Sequence, residues 1–191
     1  TETRKVLLDG LTFPEGPRWH EGRLWFSDFY SHRVVALAPD GAAETIARVP
    51  ERPSGLGWLP DGRLLVVSML DRKLMRLDSG GLVEAADLAS VATGPCNDMV
   101  VDDEGRAYIG NFGFDRHAGD EERGAALARA DPDGTVTVVA EDLAFPNGMV
   151  ITPDGGTLIA AESNARRLTA WQRTADGGLG EQRLFANLDP N

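Results

Sequence analysis

One phrase recurs four times along this 191-residue chain, and it restricts the fold more than any other feature. The segments PEGPRWHEGRLWFSD from Pro14, PSGLGWLPDGRLLVVS from Pro53, PCNDMVVDDEGRAYIGN from Pro95 and PNGMVITPDGGTLIAAE from Pro146 share one plan. Each sets a proline, a small or polar residue, a short apolar run, an acidic-Gly turn and a second apolar run. The prolines stand 39, 42 and 51 residues apart. A second turn follows in every unit, at Asp40-Gly41, Gly80-Gly81, Asp133-Gly134 and Asp176-Gly177. Around these turns lie RVVALA, KLMRLD, AALARAD and RLTAWQR, then AETIARV, LVEAADL, TVTVVAE and EQRLFAN. Runs this short, joined by turns of this chemistry, are antiparallel strands linked by hairpins.

Four antiparallel strands every ~40–50 residues define an all-β chain built as a β-propeller, one blade per unit. A β-sandwich also needs evenly spaced strands, but it needs no repeated motif. The expectation is a single propeller domain over residues 1–191, with four blades visible. The third unit is the longest because of FGFDRHAGDEERG, residues 112–124, which reads as an extended loop able to cover a site. Residues 121–130 could open a helix, but the flanking turns favour a loop feeding a strand.

In a propeller the first strand of each blade lies nearest the axis, so residues at its start converge on the channel mouth. Glu15, Ser54, Asn97 (or Cys96 beside it) and Asn147 occupy that place in the four units. Taken singly, each has a plainer reading: Asn147 in PNG suits a turn, Glu15 in PEG a solvated loop, and Asn97-Asp98 an Asx-turn. Their common register is what favours a shared site. One carboxylate and two amide carbonyls are hard oxygen donors that suit a divalent cation, able to polarise a carbonyl and activate water. A second polar column, Asp28, Ser68, Asn111 and Glu162, falls where the second strand ends and reads as turn chemistry. His20, His32 and His117 have no zinc spacing. The first two are expected to be exposed at turns, while His117, in the long loop, is a candidate substrate contact. Cys96 has no base beside it in sequence and reads as a small packed residue.

Composition trims the functional classes. A net charge of -11 without a basic run argues against nucleic acid and against an anionic membrane surface. No apolar run approaches the ~20 residues of a membrane span, and a single cysteine precludes an intramolecular disulfide. A cytoplasmic protein is the expectation. No Gly-x-Ser-x-Gly elbow and no P-loop are present.

With EGPRW around Glu15, CNDMVVDDEGRAYIGNFGFD around Asn97 and FPNGMVITPDG around Asn147, the chain resembles the senescence-marker-protein/gluconolactonase (regucalcin-like) family across nearly its whole length. The resemblance implies a six-bladed propeller with one divalent cation (calcium, zinc, manganese, magnesium or iron) in its channel, and a small-molecule substrate, a sugar lactone, opened by hydrolysis. It implies Glu15 and Asn147 as metal ligands, and Asn97 as a ligand or a contact to water and substrate. Two departures stand out. Pro95 occupies the place where animal gluconolactonases of the family carry a sugar-contacting arginine. The aspartate of a fifth blade, which the family uses as the last ligand and general base, is absent: Asp154 and Asp189 are off register, and that residue is expected beyond Asn191, with two further blades. A closed four-bladed ring is the alternative. A lactonase leads the functional readings. An organophosphate or ester hydrolase on the same metal site, and a non-catalytic propeller used as a binding platform, are the competing ones.

Overall fold

The computed structural model of the protein describes residues 5–115 and 118–188. Among these residues sixteen strands form four antiparallel sheets, each a meander of four strands consecutive in sequence. The first blade is β1 (Pro14–His20), β2 (Arg23–Asp28), β3 (Arg33–Leu37) and β4 (Ala43–Arg48). The second is β5 (Pro53–Trp58), β6 (Leu64–Ser68), β7 (Lys73–Asp78) and β8 (Gly81–Asp87). The third is β9 (Cys96–Val101), β10 (Ala107–Asn111), β11 (Ala125–Ala130) and β12 (Val136–Leu143). The fourth is β13 (Pro146–Ile151), β14 (Thr157–Glu162), β15 (Arg167–Arg173) and β16 (Leu179–Asn187). The only helical element among the described residues is a single 3-10 turn, Phe29–Ser31. Residues 119–124 form a loop that feeds β11, as the turn signals indicated. No helix among the described residues is long and apolar enough to cross a membrane.

Side-chain alternation along the second strands shows how the blades cohere. In β6, Leu64 and Val66 face the first blade, packing with Trp25, Val34 and Ala36, while Leu65 and Val67 face the third, packing with Met99 and Ile109. In β10, Ile109 joins that second core and Tyr108 joins a third, with Leu158 and Trp171 of the fourth blade. The period of two places apolar residues on both faces, so each sheet is sandwiched by its neighbours. Each fully buried side chain of this size contributes roughly 1.5–3 kcal/mol. The outer face of the first blade, with Phe26, Val35 and Leu37, is covered by Leu8 and Leu11 of the segment before β1.

The inner strands pack side by side in order, β1 on β5, β5 on β9 and β9 on β13. Among the described residues, no packing of comparable extent joins β13 to β1. Two glycines permit the close approach. A Cβ on Gly55 would lie 2.5 Å from the Met99 backbone nitrogen, and one on Gly16, where φ is 56°, would lie 3.1 Å from the Ser54 carbonyl oxygen. Neither position tolerates a side chain without movement of the neighbouring backbone.

Candidate active site at the channel mouth

The repeated proline phrase has a geometric consequence. Every inner strand slips register against its partner at the same place: Pro53 pairs with Ser68 but Leu56 with Val66, Cys96 with Asn111 but Met99 with Ile109, and Pro146 with Glu162 but Met149 with Ala160. The first strand slips likewise between Glu15 and Arg18. Two residues therefore oppose one, the arrangement of a β-bulge, which bends a strand and re-aims a side chain. Glu15, Ser54, Asn97 and Asn147 all stand at these bulges. In three blades a proline holds the place before the bulge, where its missing N–H leaves no ladder donor stranded; in the third, Cys96 takes that place and its N–H donates to the Met69 carbonyl oxygen.

Glu15, Asn97 and Asn147 line one cavity of about 390 Å³ at this end of the inner strands. Ser54 lies just behind it, fully buried, with its Oγ 3.3 Å from Glu15 Oε2 and 3.4 Å from Asn97 Oδ1. A hydroxyl has one proton and cannot donate to both oxygens at once. No other donor among the described residues meets either oxygen. Asn97 donates to the Pro146 carbonyl oxygen over 3.4 Å, and Asn147 donates to Ser163 Oγ over 3.2 Å. Burial pushes the Glu15 carboxyl above the usual carboxylate range; the Ser54 hydroxyl opposes that rise and the charge of Asp98 adds to it. Among the described residues the Glu15 carboxylate has no ion-pair partner, and with Asn97 Oδ1 it shares a single hydroxyl donor, an oxygen cluster that fits a hard divalent cation. Among the described residues no three His, Cys, Asp or Glu side chains gather as a metal centre. The donor set here draws instead on two amides.

Asp98 was not singled out by the sequence reading beyond its place in an Asx-turn. It holds the position that glycine takes in the other three units (Gly16, Gly55 and Gly148). Its carboxylate accepts from Arg18 Nη2 over 2.7 Å and from the Met99 N–H over 2.8 Å, and Arg18 also donates to the Met99 carbonyl oxygen over 2.7 Å. Hypothetical Cβ atoms on Gly16 and Gly148 would lie 3.7 and 3.8 Å from its oxygens, so the first and fourth inner strands flank it. Arg18 neutralises Asp98 and leaves Glu15 as the unpaired carboxylate.

The second polar column does hold the loops, but from deep burial. Asp28 is fully buried, and its Oδ1 accepts from Thr12 N (2.9 Å), Thr12 Oγ1 (2.8 Å) and Phe13 N (3.1 Å). Its Oδ2 accepts from Arg33 Nε (3.1 Å) and Nη2 (2.9 Å). Burial alone would raise this carboxyl, yet the bonds from Thr12, Phe13 and Arg33 hold it well below the usual range. Glu162 does the same in the fourth blade, accepting from Arg167, Thr169 and the Ala144 N–H. These two carboxylates clamp the loops that lead into Glu15 and Asn147. Asn111 orders its own loop, accepting from the Gly113 N–H over 2.8 Å and donating to the Ala126 carbonyl oxygen over 2.7 Å.

The remaining expectations divide. Cys96 is buried beside Asn97, and burial pushes its thiol up to about 12, so it is a packed residue and no nucleophile. His20 and His32 are not exposed as anticipated but half-buried. His20 stacks on Trp58 with ring centroids 3.9 Å apart, and His32 Nδ1 lies 2.7 Å from the Pro50 carbonyl oxygen. His117 lies outside the described residues. The long loop does reach the site, through Phe112, Phe114 and Asp115, which line the cavity.

The chain is a meander-bladed propeller with an oxygen cluster where its inner strands begin. Residues 13–191 match the model of the SMP-30/Gluconolactonase/LRE-like region, and the chain belongs to that family. It is 33% identical to the pentonolactonase XacC of Haloferax volcanii over 85% of this chain and 54% of that protein. The fold superposes on a gluconolactonase of Xanthomonas campestris with a TM-score of 0.79 at 26% identity, over 94% of this chain and 64% of that one. Regucalcin of Agrobacterium tumefaciens, described as a calcium-binding protein, gives a TM-score of 0.76 at 25% identity over 94% and 61%. The chain therefore spans between about half and two thirds of the length of these relatives.

Proposed function

We propose that the protein is a lactonase that hydrolyses small-molecule lactones at the channel mouth, with Glu15, Asn97 and Asn147 holding a divalent cation. The observation that carries the reading is the shared Ser54 proton: two acceptors of the cavity wall, Glu15 Oε2 and Asn97 Oδ1, compete for one donor while Arg18 is committed to Asp98. When bound, a divalent cation supplies Lewis acidity toward the ring carbonyl. Glu15 contributes the negative charge of the set, and the two amides contribute neutral oxygens, which leaves net positive charge to act on the substrate. Ser54 orients Glu15 and Asn97 from behind, and the loop clamped by Asp28 fixes the approach to Glu15. Ring opening adds water across the acyl C–O bond, giving a hydroxyl, a carboxylate and a released proton. The lactonase names of the relatives support this reaction class, and regucalcin's description supports calcium among the candidate ions.

Proton release from a panel of sugar and alkyl lactones, followed at constant pH with calcium, manganese or zinc present, tests the reading. Turnover that requires cation and is lost in both Glu15→Gln and Asn147→Ala supports it. Turnover that survives chelation, or that both variants retain, overturns it.

A further inference from the structure

Beyond the oxygen cluster, the walls of the same cavity are aromatic. Phe13 and Phe145 precede β1 and β13, Phe112 and Phe114 come from the long loop, and Phe29 and Tyr30 from the 3-10 turn. Phe112 and Phe145 stack with centroids 4.4 Å apart, and Phe29 meets Tyr30 edge-on at 4.6 Å. Apart from the Glu15, Asn97 and Asn147 trio, the charged groups on the lining among the described residues are Arg52 and Asp115. A polyhydroxylated ring needs a hydrogen-bonding partner for nearly every oxygen it buries, because each unpaired one carries its full desolvation cost. Walls of this kind offer few such partners and many ring faces.

Arg52 supplies the second, independent observation. Its guanidinium lies 5.1 Å from the ring centroids of both Phe29 and Tyr30. Its Nε is buried without a hydrogen-bond partner, and no carboxylate among the described residues forms an ion pair with it. In a chain of net charge -11, an arginine left without an ion-pair partner inside a cavity is a cationic donor kept open for an anionic acceptor. Contact with two rings set at 83° to each other holds its fork in place, and a planar fork suits a carboxylate better than a lysine would.

We propose that the cavity takes lactones bearing an aromatic substituent, and that Arg52 is a specificity-determining residue that binds the carboxylate set free by ring opening. The hydrolytic arm of this inference rests on the lactonase reading; the binding arm does not. Water adds its oxygen to the acyl carbon as the acyl C–O bond breaks, the leaving alkyl oxygen takes one proton of that water and becomes a hydroxyl, and the acid formed releases its proton to solvent as its carboxylate meets the guanidinium.

The test uses the full chain with two acid probes, 4-hydroxy-4-phenylbutanoate and gluconate, titrated calorimetrically. Their parent lactones, γ-phenyl-γ-butyrolactone and glucono-δ-lactone, are assayed in parallel. The phenyl acid is expected to bind at least about tenfold more tightly than gluconate, and its lactone to show the higher kcat/KM. Arg52→Gln is expected to weaken phenyl-acid binding about tenfold, the loss of a charge-assisted bond, while Arg52→Lys weakens it less. Melting temperature is followed for both variants, and the lysine variant preserves charge if the glutamine one is destabilised. Equal binding of the two acids, or unchanged binding in both variants, overturns the proposal. If no lactone is hydrolysed but Arg52-dependent binding of the phenyl acid persists, the binding arm stands, and the lactonase reading falls together with the hydrolytic arm. If glucono-δ-lactone is the preferred substrate, the lactonase reading stands and this proposal falls.

Discussion

Replacing Asp28 with asparagine should destabilise the protein far from its chemistry and weaken the site through the loop it holds. Asp28 is completely buried, whereas the Arg33 side chain is 30% exposed. Asparagine keeps the shape and can still accept from Thr12 and Phe13 through Oδ1, but it turns an NH2 toward the Arg33 donors. Breaking a buried pair in this way costs about 3–5 kcal/mol, and water reaching Arg33 lowers the figure to about 2–3 kcal/mol. For a chain of this length the melting midpoint should fall by roughly 4–12 °C. Asp28→Ala should cost more, because two backbone N–H groups then lose their acceptor. The pH dependence has a definite sign. The folded carboxyl is held well below the usual range, so its stabilisation is present above the unfolded value of roughly 3.9 and is lost as pH falls toward the folded one. Urea unfolding at pH 7 and at about pH 2.5 should therefore show a larger wild-type advantage at pH 7. A variant within about 0.5 kcal/mol of wild type at pH 7 would refute the clamp.

Glu15→Gln should behave in the opposite way. Its carboxyl is raised by burial and by Asp98, so the cation-free variant should melt higher than wild type above the raised folded value. That gain should vanish below the unfolded value of roughly 4.3 and reverse when calcium is added; a variant less stable at pH 7 without cation would contradict this. Gly55→Ala drives a Cβ toward the Met99 backbone nitrogen and should cost at least about 1–3 kcal/mol in urea unfolding, with unchanged stability excluding the close approach. Shortening residues 118–123 of the long loop should change KM across a lactone panel without changing cation affinity, and identical kinetics would reduce the loop to surface covering.

The sequence carried the blades because their signals are local. Hairpin turns, period-two runs and the repeated proline are each written within a few residues, and all sixteen strands follow from them. That Glu15, Asn97 and Asn147 would converge on one cavity was legible for the same reason, their shared place at the start of the inner strands. What could not be read depends on how blades lean together. Arg18 finds Asp98 eighty residues away, and only the substitution of Asp98 for the repeated glycine marks that pair in the sequence. Arg52 stands directly before Pro53 with nothing local to announce it, and its environment is assembled from the 3-10 turn of another blade. The histidines were misplaced because turn position says little about burial once a neighbouring blade supplies a partner such as Trp58.

Calorimetric titration of the cation-free protein with calcium, repeated on Glu15→Gln, Asn147→Ala and Ser54→Ala, tests the central claim most directly. A single site per chain is expected, weakened more by Glu15→Gln than by Ser54→Ala, with Asn147→Ala close to Glu15→Gln. Unchanged affinity in both Glu15→Gln and Asn147→Ala would contradict the assignment of the channel-mouth oxygens as the cation site.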